Sequence, residues 1–232
     1  MKILCTICAR KGSKGVVNKN IKKINGKELI YYTIKQAIKS GIFHKIAVSS
    51  DSPIILKISK KYGADFTYLR HQNDAKDNSP KVPVIKKLTK VCELFYNKKF
   101  DIVVDLDVTS PLRLVSDINR AYNYFIKKNA DILMSCCISK KNPYFNIVEK
   151  IKGRISRSKL MKKYITRRQD APTTYDLNAS IYIWRRKLLD NFRTFYTKKT
   201  VLFVMPQERS IDIDTEFDFK IIKTLLKKNE QL

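Results

Sequence analysis

Ile3-Leu4-Cys5-Thr6-Ile7-Cys8 runs straight into Ala9-Arg10-Lys11-Gly12-Ser13-Lys14-Gly15-Val16-Val17-Asn18-Lys19-Asn20, an apolar run of strand length ending in a basic, glycine-bearing loop. Glycine lets backbone N–H groups come close to an anion, and Arg10, Lys14 and Lys19 supply the charge to neutralise it. The spacing is not that of a Walker P-loop, which places Lys-Ser/Thr directly after its second glycine, and it is not a dinucleotide fingerprint. Glycines between a strand and the next element also serve as plain turn residues. The three interleaved basic side chains favour triphosphate binding.

Outward from this loop the chain alternates short β-type runs with amphipathic helical stretches. Strands are expected at Lys2–Cys8, Lys45–Ser49, Asp65–Leu69, Ile102–Leu106 and Asp131–Cys136, and helices at Glu28–Ser40, Pro53–Tyr62, Pro83–Tyr96 and Val115–Lys128. Such alternation implies an α/β fold with right-handed crossovers and a largely parallel sheet. Ligands of such sheets bind beyond the carboxyl ends of the strands. The pattern breaks near Ile138, where Pro143, a strand-like Tyr144–Ile151, Gly153 and a further short run predict a β-hairpin excursion. Regular structure resumes with a strand at Ala179–Arg185, a helix at Arg186–Phe192, a strand at Val201–Met205 and a helix at Glu216–Lys227. The reading is one domain over 1–232 with an inserted arm at 138–170.

Composition excludes several classes. Of 232 residues 44% are hydrophobic, enough for a core, and no run of about 18 apolar residues is present to span a membrane. A signal peptide places its basic residues before its apolar stretch, whereas here Arg10 and Lys11 come after, so a cytoplasmic protein is expected. Cys5 and Cys8 are three apart in a β-type run and so point to opposite faces, while Cys136 and Cys137 are adjacent. Neither arrangement makes a chelating set, and the five cysteines are expected as small core residues in a reducing compartment. The formal charge of +27 raises nucleic-acid binding, but the lysines are dispersed as pairs along almost every helix, with no basic tail or arginine-aromatic stripe. No nucleic acid and no membrane partner is expected.

Two further loops carry acids. Asp105-Leu106-Asp107-Val108-Thr109-Ser110-Pro111-Leu112-Arg113 follows a strand, where carboxylates can hold Mg2+ near phosphates. Alternatively, Asp107 and Ser110 cap the following helix. An Asp-x-Asp at a strand end is also the metal signature of many glycosyltransferases. Near the C-terminus, Ser210-Ile211-Asp212-Ile213-Asp214-Thr215-Glu216-Phe217-Asp218 puts Asp212 and Asp214 on one side of an extended segment. Two like charges held together call for a cation. Thr215 or Asp214 is the candidate cap of the last helix, with Glu216 and Asp218 in its first turn.

Taken together, these loops resemble the acylneuraminate cytidylyltransferase family, the CMP-sialic acid synthetases and their relatives, from Ile3 to Leu226. The carrying motifs are Ala9-Arg10 through Gly15 with Asn18-Lys19-Asn20, Val48-Ser49-Ser50-Asp51, Thr109 to Arg113, Arg168-Gln169, Asn178-Ala179-Ser180-Ile181-Tyr182, and Ser210 to Asp214. The Ile7-to-Arg10 and Asp105-to-Asp107 segments look closest to the bacterial branch acting on legionaminic acid. The resemblance implies a Rossmann-like nucleotidyltransferase with a mostly parallel mixed sheet and a β-hairpin dimerisation arm that helps complete the partner's sugar site. It implies a homodimer that uses CTP and Mg2+, or Mn2+, to activate an acidic nine-carbon keto sugar (legionaminic, N-acetylneuraminic or a related acid) for cell-surface glycans.

Carried over by position, Ala9, Arg10, Gly12, Ser13, Lys14, Lys19, Asn20, Arg70, Asp77 and Lys81 would bind CTP. Within that set, Arg70 would read cytosine and the segment from Asp77 to Lys81 would close around the base. Asp107, Thr109, Ser110, Lys141, Gln169, Asn178 and Tyr182 would border the sugar. Asp212 and Asp214 would hold the metal, with Asp107 as a further candidate, and Arg10, Lys19 and Asp212 would be catalytic. Two departures stand out: the sialic acid branch has Gln-Pro at Asp107-Val108, and a glycine at Lys11. The rival readings are a metal-dependent glycosyltransferase acting through Asp105 and Asp107, and a basic nucleic-acid-binding module.

Overall fold

The computed structural model describes residues 1–12, 15–76, 79–161 and 165–229. In chain order the elements are β1 (Ile3–Cys8), β2 (Lys23–Ile24), β3 (Lys27–Glu28), α1 (Leu29–Ser40), β4 (Lys45–Ser50), α2 (Pro53–Lys61), β5 (Phe66–Leu69), α3 (Lys81–Tyr96) and β6 (Ile102–Leu106). Then come α4 (Val115–Lys127), β7 (Ile132–Ile138), β8 (Val148–Ile151), β9 (Arg154–Arg157), β10 (Tyr175–Arg185), α5 (Arg186–Asp190), β11 (Thr200–Val204) and α6 (Glu216–Asn229). Seven strands form one sheet in the order β11-β7-β10-β6-β1-β4-β5, parallel throughout except for β10, which is antiparallel to both neighbours. This is the mostly parallel mixed sheet expected from the sequence.

The side-chain period of two divides the strands between two cores. Ile3, Cys5 and Ile7 of β1, Ile102 and Val104 of β6, and Ile181 and Ile183 of β10 join the larger cluster with α1, α4 and α6. Leu4 turns to the other face with Leu88 and Cys92 of α3, and Val103 and Trp184 meet Ile85 and Leu189 there. Cys5 and Cys8 accordingly face opposite ways, and all five cysteines are free. Chain order places β1 next to both β4 and β6, so the connections leave β1 in opposite directions. The crevice at such a reversal is where the loops after the strands converge.

Helix ends follow local rules. Ser52 caps α2 with Pro53 as its first residue, and Gly41 (φ 69°) closes α1 in the left-handed conformation. Thr215 and Asp218 cap α6 reciprocally: Asp218 N donates to Thr215 Oγ1 at 3.2 Å, and Thr215 N donates to Asp218 Oδ2 at 2.8 Å. Before α4, the capping role goes to Asp117, which accepts from Leu114 N at 3.0 Å. The expectation that Asp107 or Ser110 caps α4 is therefore not met, because the chain makes a further turn before Val115.

Two other expectations are corrected. Tyr144–Ile151 is a strand only from Val148. The Asn142 side chain accepts from Tyr144 N, and the Asn142 carbonyl accepts from the N–H groups of residues 145, 146 and 147, which winds Tyr144 to Asn146 into a turn. Val148–Ile151 then pairs with β9 around Lys152 (φ 49°) and Gly153 (φ 81°), the left-handed pair of a tight hairpin turn. Strand β10 starts four residues earlier than Ala179, because Tyr175 to Leu177 already pair with β7 across a bulge. Ala179 sits in that bulge at φ 52°, strain that a non-glycine residue tolerates only when its surroundings impose it.

One buried arginine ties three elements. Arg113, 1% exposed, donates from Nη1 to the Ser180 carbonyl of β10 at 2.6 Å and from Nη2 to Gln36 Oε1 of α1 at 3.0 Å. Gln36 returns two bonds, to the Pro111 and Arg113 carbonyls at 2.8 and 2.6 Å. Replacing Arg113 with Met strips several buried acceptors of their donor at once, each costing roughly 1–3 kcal/mol when left unpaired. Urea unfolding of Arg113→Met should thus show a loss of about 3 kcal/mol or more.

Candidate active site

At the carboxyl ends of β1, β4 and β6 lies a cleft of about 470 Å3. Three loops distant in sequence make its walls. Arg10, Gly15, Lys19 and Asn20 come from the loop after β1, Asp107 and Thr109 from the loop after β6, and Asp214 from the segment before α6. Arg70, Lys76 and Lys81 close the side beyond β5.

Direct contacts lock the loops together. The Lys19 ammonium donates to the Ile213 carbonyl and lies 3.4 Å from Asp214 Oδ1. Ile213 N donates to the Thr109 carbonyl at 3.0 Å. Gly15 packs so tightly on the Asp214 peptide that a Cβ there would overlap the Asp214 carbonyl oxygen. Only glycine permits that approach. Arg209 braces the same segment from below through a paired contact with buried Asp117, at 2.9 and 3.0 Å. The Asn20 side chain donates to the Arg10 carbonyl at 2.8 Å, and Asp51 accepts from Lys11 N at 2.8 Å, which shape the first loop.

Buried Ile213 anchors its segment in the core, which leaves Asp212 and Asp214 on the other side. The segment from Ile211 to Asp214 belongs to no strand or helix. The Asp212 carboxyl is held above the ordinary range, first by burial and then by the neighbouring Asp214 charge. A carboxyl whose proton affinity is raised by an acidic neighbour is a donor that a divalent cation would relieve. No group of three or more His, Cys, Asp or Glu able to hold a metal occurs among the described residues. Asp212 and Asp214 are a two-carboxylate set, and one or two carboxylates are what Mg2+ takes from a protein where it also binds substrate phosphates.

Asp105 and Asp107 have a different neighbour. Lys81 Nζ stands 2.7 Å from Asp105 Oδ2 and 2.7 Å from Asp107 Oδ2. Burial disfavours the Lys81 ammonium, but the two carboxylates outweigh it and hold its pKa above the usual lysine value. Burial likewise pushes the Asp107 carboxyl up, yet Lys81 and the two Thr109 donors bring it down to about 2. The buried Asp105, hydrogen-bonded by Thr6 Oγ1 at 2.9 Å, is shifted upward by burial against the pull of Lys81. Lys81 thus lines the cleft as expected, but as the counter-ion of the Asp-x-Asp motif. Sequence reading missed this partnership.

The remaining expected residues divide clearly. Arg70 is 7% exposed and lines the cleft, and its buried Nε has no hydrogen-bond partner among the described residues. Ala9 roots the first loop by donating its N–H to the Ser49 carbonyl at 2.9 Å, and Gly12 has open space around it. Ser13, Lys14 and Asp77 lie outside the described residues. Ser110 and Asn178 are buried away from the cleft. The Asn178 side chain accepts from Ser135 Oγ at 2.6 Å and donates to Ser210 Oγ at 2.9 Å, holding β10 to β7 and to the acidic segment. Tyr182 packs with Trp184 and Phe195 behind Lys81, whose Nζ is 5.9 Å from its ring centre. Lys141 and Gln169 line two shallower depressions at the base of the hairpin and not this cleft. The strand expected from Ala179 onward excluded Asn178, so neither its burial nor that of Ser110 had a signal in the sequence.

Comparison with known proteins agrees with this geometry. A family model for cytidylyltransferases matches residues 4–232. The chain is 43% identical over 224 residues to the CMP-N,N'-diacetyllegionaminic acid synthase of Campylobacter jejuni, covering 97% of this chain and 94% of that protein. It is 42% identical over 226 residues to post-translational flagellin modification protein B of Campylobacter coli, covering 97% and 95% of the two chains. Its fold is that of CMP:2-keto-3-deoxy-manno-octonic acid synthetase, solved in complex with CTP, with a TM-score of 0.69 at 16% identity over 99% of this chain and 100% of the other. The basic loop and Asp214 meet in one cleft of this sheet, with Asp212 outside its lining, and the chain belongs to the cytidylyltransferase family.

Proposed function

We propose that this nucleotidyltransferase couples CTP to an acidic nine-carbon keto sugar, legionaminic acid or a close relative, giving the CMP-sugar and pyrophosphate. The observation that carries the reading is the junction of Lys19 with Ile213 and Asp214, which sets phosphate-binding cations and metal-binding carboxylates side by side. The anomeric hydroxyl of the sugar attacks the α-phosphorus of CTP, and the bond to the β-phosphate oxygen breaks. Such a transfer depends on positioning and charge neutralisation rather than on a covalent nucleophile. Arg10 and Lys19 neutralise the departing pyrophosphate, joined by Lys14. Arg70 offers its unpaired donor to the cytosine, with Ser79 and Lys81 lining the same cleft. Asp212 and Asp214 would hold Mg2+, which when bound stabilises charge on the phosphates. Thr109 and Asp107 face the space left for the sugar.

The glycosyltransferase alternative loses its metal motif, since Asp105 and Asp107 already share the Lys81 ammonium. A CTP-consuming reaction is at home in the cytoplasm, and no helix among the described residues is long and apolar enough to cross a membrane. We also propose a homodimer built on the arm at 138–170. Its hairpin leaves Val148 and Ile155 exposed on one face, the latter 72%, and Lys141 and Gln169 lie off the cleft of their own chain. Apolar side chains gathered this way mark an interaction surface.

Three outcomes test these assignments. With CTP, Mg2+ and a panel of nonulosonic acids, Asp212→Ala and Lys19→Ala should each abolish pyrophosphate release while circular dichroism stays native; near-normal turnover in either would refute its role. Gly15→Ala should cut kcat by at least about 100-fold with little change in Tm, because it forces the first loop off Asp214, a displacement on the scale that ruins transition-state alignment. Ile155→Asp should convert the dimer to a monomer in light scattering and raise KM for the sugar more than for CTP. A wild-type monomer would dismiss the dimer.

A further inference from the structure

Lys81 is the first residue of α3, at the positive end of the helix dipole, where a cation is disfavoured. Its stem is nonetheless drawn inward until the ammonium lies between two carboxylates. Local preference and observed placement conflict here, and such conflicts gather at functional sites. Every oxygen of the pair is engaged. Asp105 Oδ1 accepts from Thr6 Oγ1 at 2.9 Å, and Asp107 Oδ1 accepts from Thr109 N and Oγ1, both at 2.9 Å. The two Oδ2 atoms both face Lys81 Nζ. Asp105 Oδ2 has this charge contact but no aligned hydrogen-bond donor, so the ammonium is the one thing that offsets its burial among the described residues.

From this geometry we infer that Lys81 is a cation built into the site, occupying the place between Asp105 and Asp107 that a divalent metal ion would take and confining metal binding to Asp212 and Asp214. The inference deepens the cytidylyltransferase reading of the same cleft. The two acidic pairs differ in how replaceable their cation is. Asp214 is 73% exposed and its lysine stands 3.4 Å away, so water and metal can reach it. Asp105 is wholly buried, and an incoming ion would have to expel a lysine already in contact with both acids. Asp107 then acts as a permanently ionised acceptor that carries no metal. Removing the lysine should expose a second divalent site.

Mn2+ titration followed by electron paramagnetic resonance reads this without turnover. Lys81→Ala should bind one Mn2+ per chain more than wild type, and Lys81→Ala/Asp107→Asn should lose that extra ion. Lys81→Arg, which keeps the charge, should bind as wild type does. A folded Lys81→Ala with unchanged stoichiometry overturns the inference, as does an extra ion that survives in the double variant. Should Lys81→Ala fail to fold, Lys81→Gln takes its place. Independently of any Lys81 variant, Asp107→Asn in the wild-type background should leave Mn2+ stoichiometry unaltered, and loss of an ion there also overturns it. If Asp212→Asn keeps full Mn2+ binding, the metal assignment of Asp212 fails by itself, and the comparison among Lys81 variants still decides the role of Lys81.

Discussion

The guanidinium of Arg113 sits in the interior among carbonyl and hydroxyl oxygens of α1, β10 and its own loop, with no carboxylate salt bridge among the described residues. Burial disfavours its charge and lowers its pKa to about 10. A group that expensive to bury persists because it satisfies many acceptors at once. It binds the Asp107 carbonyl, so the backbone that presents the Asp107 side chain is immobilised. Thr109, two residues on, then receives Ile213 and with it the acidic segment before α6. The whole acidic wall of the cleft hangs from this loop.

The opposite wall is basic and is held by backbone proximity. Gly15 lies against the Asp214 peptide, and Lys19 reaches across to the same residue pair. In the proposed reaction, the cations and carboxylates that would face a triphosphate and its metal are thereby positioned beforehand, which lowers the reorganisation required. The formal charge of +27 has little to do with this arrangement. Its lysines are spread over the helices, whereas the lining of the cleft mixes the two signs, with Arg10, Lys19, Arg70, Lys76 and Lys81 beside Asp74, Asp107 and Asp214.

Asp105 with Asp107, and Asp212 with Asp214, are two acidic pairs with different solutions to like-charge repulsion. One pair is internal and neutralised by a lysine of the chain. The other is at the rim, where Lys19 reaches Asp214, and burial together with the Asp214 charge raises the pKa of Asp212. Two Asp-x-Asp patterns that look alike in sequence are thus unlike in chemistry. The difference is burial, since desolvation rewards a fixed counter-ion inside and leaves an exchangeable one outside.

Strand and helix positions, the mostly parallel sheet and the three site loops were legible from residue order alone, because hydrophobic period and turn residues are local properties of the chain. The same locality explains the reading of Thr215 as a candidate cap of α6 with Asp218 in its first turn, three residues on. What folding in three dimensions decided was every pairing across long separations: Lys81 with Asp105 and Asp107, Arg113 with Gln36 and Ser180, Gly15 with Asp214. Asn178 and Ser110 fell inside rather than into the cleft for the same reason. No local pattern states which distant group will share a buried side chain's desolvation. That energy exists only once the sheet has brought the partners together.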